Sequence, residues 1–288
     1  MILSIMLAML ATCSNALGTV LQRHAVLTVP ASASLRIGLL TDLLRTPIWL
    51  AGLLGVMLSA LLQALALAIG SLAAVQPVFV LELPLALLIG GFVFHVDLPR
   101  KAWVSVVGIA CGVALFLFST APSGGREQVP GIWWVPTLVV VGGIAGILAL
   151  VGLRRPVGRV RGACIAAAAA VGNALTAALI KSAMYILSHQ GFVAFLLSWQ
   201  TYGFAVVGGF SLFLLSTAMQ GGPLIASQPA LTLVDAFMGF CIGVAVYGEQ
   251  TRTGMWILWA VVALALVTTG VFALSRMECL TDAGQKVA

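Results

Sequence analysis

Two acidic residues lie alone in long apolar stretches of the sequence. Glu82 is the only Asp, Glu, Lys or Arg between residues 46 and 96, and Asp235 is the only one between residues 182 and 248. An ionised carboxylate at the centre of a bilayer costs roughly 2.5–3.5 kcal/mol on insertion scales. Such a group can take up a proton, bind a cation or face a water-filled cavity, and each alternative suits a transport pathway. A protonated carboxyl group that hydrogen-bonds to a neighbouring helix is the purely structural alternative.

Two Gln-Pro pairs precede these acids, Gln76-Pro77 and Gln228-Pro229. Proline inside a helix frees a carbonyl group one turn earlier and kinks the helix. Kinked helices at matched positions in the two halves of a membrane protein favour a binding site, although a kink can also serve packing alone. Gln76 and Glu82 are six residues apart, which is ~600°, or ~240° around a regular helix. They therefore share a face only if Pro77 distorts the helix.

Asn15 and Asn173 are further polar residues inside apolar stretches. Their amides can contact a solute or can hydrogen-bond between helices, where such bonds average ~0.6 kcal/mol in one well-studied case. Arg23 and Lys181 are interpreted as snorkelling to the membrane interfaces. The predicted substrate or ion pathway consists of six residues: Glu82, Asp235, Gln76, Gln228, Asn15 and Asn173.

Residues for catalysis or for a cofactor are not evident. His24, His95 and His189 fall near predicted span ends, and no H-E-x-x-H, G-x-S-x-G or G-x-x-x-x-G-K motif occurs. The five cysteines are dispersed without a C-x-x-C pair, which is typical of small buried hydrophobic residues. We therefore expect no enzyme activity, no catalytic residue and no cofactor. Glu82 and Asp235 would be metal ligands only if the transported ion is magnesium.

The composition indicates which elements carry these residues. Of the 288 residues, 61% are hydrophobic and 8% are charged, with a mean hydropathy of +1.15, whereas a soluble domain carries about 25% charged residues. The sequence therefore predicts an all-α, polytopic membrane helix bundle that forms one integral domain over residues 1–288. Apolar runs of ~20 residues predict nine transmembrane helices. They lie at about 2–22, 47–69, 72–94, 102–119, 132–152, 163–186, 192–217, 223–246 and 255–274.

Three further segments have their own interpretation. Residues 2–22 lack a preceding basic residue and an A-x-A site, so we expect a retained first helix rather than a signal peptide. Residues 23–46 place several leucines on one helical face and charges elsewhere, which favours a helix along the membrane interface; an ordinary loop is the alternative. Residues 276–288 are predicted to be a cytoplasmic tail.

The basic residues predict the orientation of the chain. With nine spans and the N-terminus outside, 11 of the 14 Lys and Arg residues fall on the inner side and 3 on the outer side. This bias predicts an outside N-terminus and a cytoplasmic C-terminus, in the plasma membrane. The net charge of +6 is thus a topology signal and does not indicate a nucleic-acid partner. The expected partners are the lipid bilayer and a small-molecule or ion substrate, and a homo-oligomer stays open.

The two halves of the sequence resemble each other. NALGTVLQR (15–23) is similar to NALTAALIK (173–181) at an offset of 158, and GSLAAVQPVFVLELP (70–84) is similar to GPLIASQPALTLVDA (222–236) at an offset of 152. We therefore predict repeat one over residues 1–119, a connector helix at 132–152 and repeat two over 163–275. An offset of five spans is odd, so the repeats would be inverted in a 4+1+4 arrangement, which is typical of secondary transporters.

Residues 70–119 and 247–275 resemble the drug/metabolite transporter (EamA-like) superfamily. In that family a Pro-containing helix ends in a Gly-Glu step, and a Gly-rich closing helix follows. Gly248-Glu249 matches this step, and Asp97 stands in its place in the first half. The resemblance implies a carrier whose substrate site lies between the repeats.

The sequence as a whole predicts a gradient-driven transporter of a small solute, in which the intramembrane carboxylates bind a cation or couple to protons. WLAGLL (49–54), followed by an Ala-rich and a Pro-containing helix, is similar to NIPA-type magnesium transporters, and this resemblance implies magnesium as an alternative substrate. Magnesium prefers oxygen ligands and keeps several waters, so one or two carboxylates suffice. A non-transporting membrane scaffold is the alternative of another class, and its helices would pack without a central polar cavity.

Overall fold

The computed structural model describes residues 2–28, 46–94, 98–222 and 224–285. The part of the chain so described is helical apart from short connections and contains no strand beyond one isolated bridge between Ser123 and Gln250. Its α-helices are α1 (Ile2–Thr28), α2 (Pro47–Ile69), α3 (Leu72–Val78), α4 (Glu82–Val93), α5 (Arg100–Thr120), α6 (Gly131–Leu153), α7 (Arg159–Gln190), α8 (Phe192–Leu197), α9 (Trp199–Gly221), α10 (Leu224–Ala245) and α11 (Trp256–Gln285).

Nine candidate membrane spans occur within the described ranges, so the all-helical prediction and the nine spans are confirmed there. The third span combines α3, α4 and the 3₁₀ turn Phe79–Leu81 between them. The chain is an integral membrane protein. The spans are Ile2–Gln22, Pro47–Ile69, Leu72–Val93, Arg100–Thr120, Gly131–Leu153, Arg159–Gln190, Trp199–Met219, Ala226–Ala245 and Trp256–Met277.

The predicted seventh span, 192–217, begins too early. The helix is interrupted at Ser198, whose backbone is extended (φ −76°, ψ 136°). The hydroxyls of Ser198 and Thr201 both donate to the carbonyl oxygen of Phe195, at 2.9 and 2.6 Å. These side chains compete with the helical hydrogen bonds of the backbone. The short helix α8 therefore ends at Leu197 and α9 begins at Trp199.

Two helices extend beyond their candidate membrane spans. Helix α1 continues to Thr28, beyond the first candidate span, which ends at Gln22, so residues 23–28 of the predicted interfacial segment are helical and continuous with α1. Residues 29–45 of that prediction lie outside the described residues. Helix α11 continues to Gln285, so most of the predicted tail at 276–288 extends the last helix.

Helix α7 forms the centre of the bundle. It contacts α2, α6, α9 and α10, and 72% of its most apolar window is buried, which is the largest share of any described span. Small residues allow these close contacts, because helices in lipid gain stability from tight van der Waals packing. A Cβ atom on Gly222 would lie only 2.8 Å from the Cα atom of Gly162, so the end of α9 meets the start of α7 backbone to backbone.

Two helix pairs across the bundle are antiparallel. Gly239 packs against Gln76 and Gly243 packs against Ala73, so α10 and α3 run in opposite directions. Helices α5 and α11 behave in the same way, since Gly112 meets Ala263 and Val267 whereas Ile109 meets Gly270. The helices that carry the two Gln-Pro pairs, α3 and α10, therefore pack side by side, with Gln76 against the middle of α10.

Candidate functional site

A cavity of about 640 Å³ lies between α1, α2, α3–α4, α7, α9 and α10. All six residues of the predicted pathway line it, together with hydroxyl and amide side chains that the sequence did not single out. The structure therefore brings together residues from both predicted halves. The polar residues of the lining are Asn15, Thr19, Ser59, Gln63, Gln76, Glu82, Asn173, Thr176, Gln228, Thr232 and Asp235.

Gln76 and Glu82 reach one cavity because the helix that carries them is overwound. Pro77 is followed by a 3₁₀ turn at Phe79–Leu81, and α4 begins at Glu82. Three steps in 3₁₀ geometry advance ~120° each instead of ~100°, so the two side chains end ~60° apart rather than ~120°. The distortion on which the predicted shared site depended is therefore present.

The second half reaches the same arrangement without an overwound turn. Gln228 and Asp235 are seven residues apart on α10, which stays helical through Pro229. Seven residues advance ~700°, within ~20° of two full turns, so both side chains share a face. The one-residue difference in spacing between Gln76–Glu82 and Gln228–Asp235 is thus largely offset by the 3₁₀ turn.

The two acids have different surroundings. The amide of Asn15 hydrogen-bonds to the Glu82 carboxyl group, and the charges of Glu82 and Asp235 are close enough to interact. One carboxyl oxygen of Asp235, Oδ1, has no hydrogen-bond partner among the described residues, and neither has Oε1 of Gln76, a residue that is only 2% exposed. Buried unpaired oxygens are costly, so these two atoms require an external donor.

The two predicted kink residues do not line this cavity. Pro77 is buried and contributes to a separate apolar pocket of about 100 Å³ beside α5 and α11, and Pro229 is buried within α10. A helix break is present after Pro77 and absent at Pro229. Their contribution to the cavity is therefore indirect, through the direction and winding of the helices.

The interpretation of Lys181 as a snorkelling residue is wrong. Its Nζ lies 2.6 Å from Oε1 of Glu249, and the side chains are 9% and 0% exposed. The two carboxylate oxygens of Glu249 also accept hydrogen bonds from the backbone N–H groups of Leu72 and Ala73, both at 2.7 Å. Glu249 therefore pairs with a cation on α7 and caps the N-terminus of α3, where negative charge is favourable.

Tyr247 completes this arrangement. Its hydroxyl donates to the Ala178 carbonyl oxygen at 2.6 Å and lies 3.0 Å from the hydroxyl of Ser182, while Nζ of Lys181 is 4.6 Å from its ring centre. Burial raises the pKa of the Tyr247 phenol above its ordinary value, so the hydroxyl stays protonated and can donate. We call Lys181, Ser182, Tyr247 and Glu249, with the first turn of α3, the sealing cluster.

The sealing cluster lies beside one end of the cavity without lining it. Ile180, which lines the cavity, is adjacent to Lys181 of the cluster. Gln76, which also lines it, is three residues after Ala73 of the cluster. Two connecting segments cover the cluster: the N–H of Arg126 donates to the Tyr247 carbonyl oxygen at 2.6 Å, and Ser123 and Gln250 exchange backbone hydrogen bonds. At the other end the cavity reaches Val20 in α1, Phe94 just after α4, Leu98 just before α5 and Met219 near the end of α9.

No group of three or more His, Cys, Asp or Glu residues that could hold a metal occurs in the described part of the chain. Cys13, Cys111, Cys164 and Cys241 are free, and the side chain of Cys279 lies outside the described residues. Any cation in the cavity would therefore meet two carboxylates, amides and hydroxyls.

A known protein is similar to this chain over nearly its whole length. The Corynebacterium glutamicum protein described as "Uncharacterized protein Cgl0250/cg0304" is 30% identical over 293 aligned residues, covering 99% of this chain and 98% of that protein. The chain belongs to the family of this corynebacterial protein. The alignment runs nearly from end to end of both proteins. No family model matches the chain. No solved structure matches it either.

Proposed function

We propose that the chain is a gradient-driven transporter of a small solute, and that the solute passes Glu82 and Asp235. The single observation that carries this proposal is the cavity of about 640 Å³, which collects all six predicted polar residues inside a membrane bundle. Polar side chains within spans are expensive, and they mark solute or ion pathways when they face a common cavity. A volume of this size lies in the usual range for small-molecule sites.

An inverted 4+1+4 repeat supports the same function. The contact between Ser4 and Gly70 has a counterpart between Gly162 and Gly222, at offsets of 158 and 152. Likewise, Gly18 packs against Val56, and Thr176 packs against Gly208, at the same two offsets. The antiparallel courses of α3 and α10, and of α5 and α11, are those expected of inverted halves. In such folds the substrate site lies at the repeat interface.

The two ends of the cavity support alternating access. The sealing cluster lies beside one end, whereas the lining reaches Phe94 and Met219 at the other. The basic residues favour an N-terminus outside the cell. In a plasma membrane, the end beside the sealing cluster would then face outward, and the end near Phe94 and Met219 would face the cytoplasm. A carrier in an inward-facing state would have this form.

The alternatives have less support. A non-transporting scaffold has no need of a polar cavity, so the cavity weighs against it. A NIPA-type magnesium transporter needs few protein ligands, and Glu82 and Asp235 could supply them, but the cavity is larger than a single ion requires. The drug/metabolite transporter type agrees with the Gly248-Glu249 step and with the inverted repeat, and it is the type that we favour.

Uptake by purified protein in liposomes tests this proposal. With imposed proton, sodium or solute gradients, we expect saturable uptake or current for at least one class of small solute, absent from protein-free liposomes. The variant Ala86→Trp places an indole in the cavity lining and should reduce the signal to that of protein-free liposomes without changing any charge. If well-folded protein supports no flux in any gradient, or if the plugged variant transports normally, the proposal is wrong.

A further inference from the structure

We infer that the solute is a small organic cation that carries several N–H donors, of the primary ammonium or guanidinium class. This inference rests on the proposed function and names the substrate class of the same cavity. The first step is charge: the described lining residues include Glu82 and Asp235 but no Lys, Arg or His. A site of this kind attracts cations and disfavours anions, because charges enclosed by a protein are screened less than charges in bulk water.

The second step is hydrogen-bond polarity. The hydroxyl of Thr176 donates to the Gly172 carbonyl oxygen at 2.9 Å, and that of Thr232 donates to the Gln228 carbonyl oxygen at 3.0 Å. Each threonine hydroxyl has a single proton, which these bonds use. Both hydroxyls therefore present only lone pairs to a ligand in the cavity.

Two carbonyl-type oxygens add to this surplus of acceptors. Oε1 of Gln76 and Oδ1 of Asp235 are buried, and both lack a partner within the described ranges. Gln76 is 2% exposed and lines the cavity, so its free oxygen is a buried group that awaits a donor. The amides of Asn173 and Gln63 offer both donors and acceptors and do not discriminate. The groups that do discriminate accept hydrogen bonds.

The third step is size. A bare metal ion would fill little of about 640 Å³ and would find no cluster of three or more acidic, His or Cys ligands among the described residues. An organic cation fills more of the space and brings its own donors. A quaternary ammonium ion has the charge but no N–H group, so it would leave Gln76 and Asp235 unpaired, and the site should reject it.

Binding to the purified, detergent-solubilised full chain tests this inference without requiring transport. The matched probes are diaminobutane and bis(trimethylammonio)butane, which share charge and spacing but differ in N–H donors. We expect diaminobutane to bind at least about tenfold more tightly in titration calorimetry. The variant Gln76→Leu should reduce that preference severalfold, whereas Glu127→Gln, at an exposed position, should leave it unchanged.

The outcomes distinguish the inferred substrate class from the proposed transport function. Equal affinity for the two dications, tighter binding of the quaternary ion, or binding of magnesium alone would overturn the inferred substrate class. Liposome uptake of a different solute would then leave the proposed transport function intact. Conversely, tight binding of diaminobutane by a protein that moves no solute would retain the ligand class and remove the transport function.

Discussion

Liposomes that contain the double variant Glu82→Gln, Asp235→Asn should show no solute flux above that of protein-free liposomes. Each single substitution should lower the rate about 10- to 100-fold, because a hydrogen bond to a charged group contributes roughly 1.5–3 kcal/mol. Both substitutions keep the size of the side chain and remove its charge. The measurement is initial uptake at matched protein content.

Stability measured on the same variants separates function from folding. The Oδ1 atom of Asp235 has no partner among the described residues, so Asp235→Asn removes a poorly solvated charge and should leave the melting temperature unchanged or raise it. Glu127→Gln, in an exposed connection, is the matched control and should retain full flux. Normal flux in the double variant would exclude any role for these carboxylates in transport.

Lys181→Met should strongly destabilise the protein. The substitution leaves the Glu249 carboxylate buried without its cation, and removing one partner of a buried pair costs about 3–5 kcal/mol. At roughly 2–4 °C per kcal/mol, the melting temperature in detergent should fall by at least about 6 °C. Lys101→Met, the same substitution at an exposed position of α5, should change the melting temperature little.

A second substitution, Glu249→Gln, should restore much of the stability that Lys181→Met removes. Lys181→Met combined with Glu249→Gln removes both charges, while the new amide oxygen can still accept from the N–H of Leu72 or Ala73. We expect the double variant to recover more than half of the lost melting temperature. A Lys181→Met protein that melts like Lys101→Met would show that the ion pair does not hold the sealing cluster together.

Features encoded locally could be predicted from the sequence. Each membrane helix is a continuous apolar run, so composition alone located the nine spans. Glu82 and Asp235 stood out because no other charge accompanies them over long stretches. The repeated Asn and Gln-Pro positions then indicated which polar residues belong together, and all of them line one cavity.

Features that depend on tertiary contacts could not be predicted in this way. Lys181 and Glu249 are 68 residues apart, and no periodicity relates a lysine on α7 to an acid after α10. In the sequence, Glu249 stands out only as part of the Gly248-Glu249 step. Thr176 and Thr232 have the same helical hydrogen bonds as the exposed Thr217 and Thr269, so only the packing of the helices reveals that they line a cavity.

Two backbone irregularities also depend on contacts that hydropathy does not report. The sequence does not predict the interruption at Ser198, and it gives the distortion after Pro77 only as a condition for a shared site. The interruption at Ser198 depends on two hydroxyls that converge on one carbonyl oxygen, a pattern that hydropathy does not detect. The 3₁₀ turn after Pro77 follows a proline, yet Pro229 in the same context leaves α10 uninterrupted. The two halves therefore reach similar side-chain positions with different backbones.

Thiol accessibility tests the central claim, a solvent-reachable pathway past the two acids, most directly. In a chain whose five cysteines are replaced, Thr232→Cys would place a thiol in the cavity, and Ile109→Cys would place one in the dry contact between α5 and α11. The measurement is the rate of reaction with a membrane-impermeant thiol reagent in inside-out vesicles. We predict that the cavity thiol reacts at least ~10-fold faster than the core thiol. Equally slow reaction of both thiols would contradict the account, because the carboxylates would then lie in dry packing and no solute could pass them.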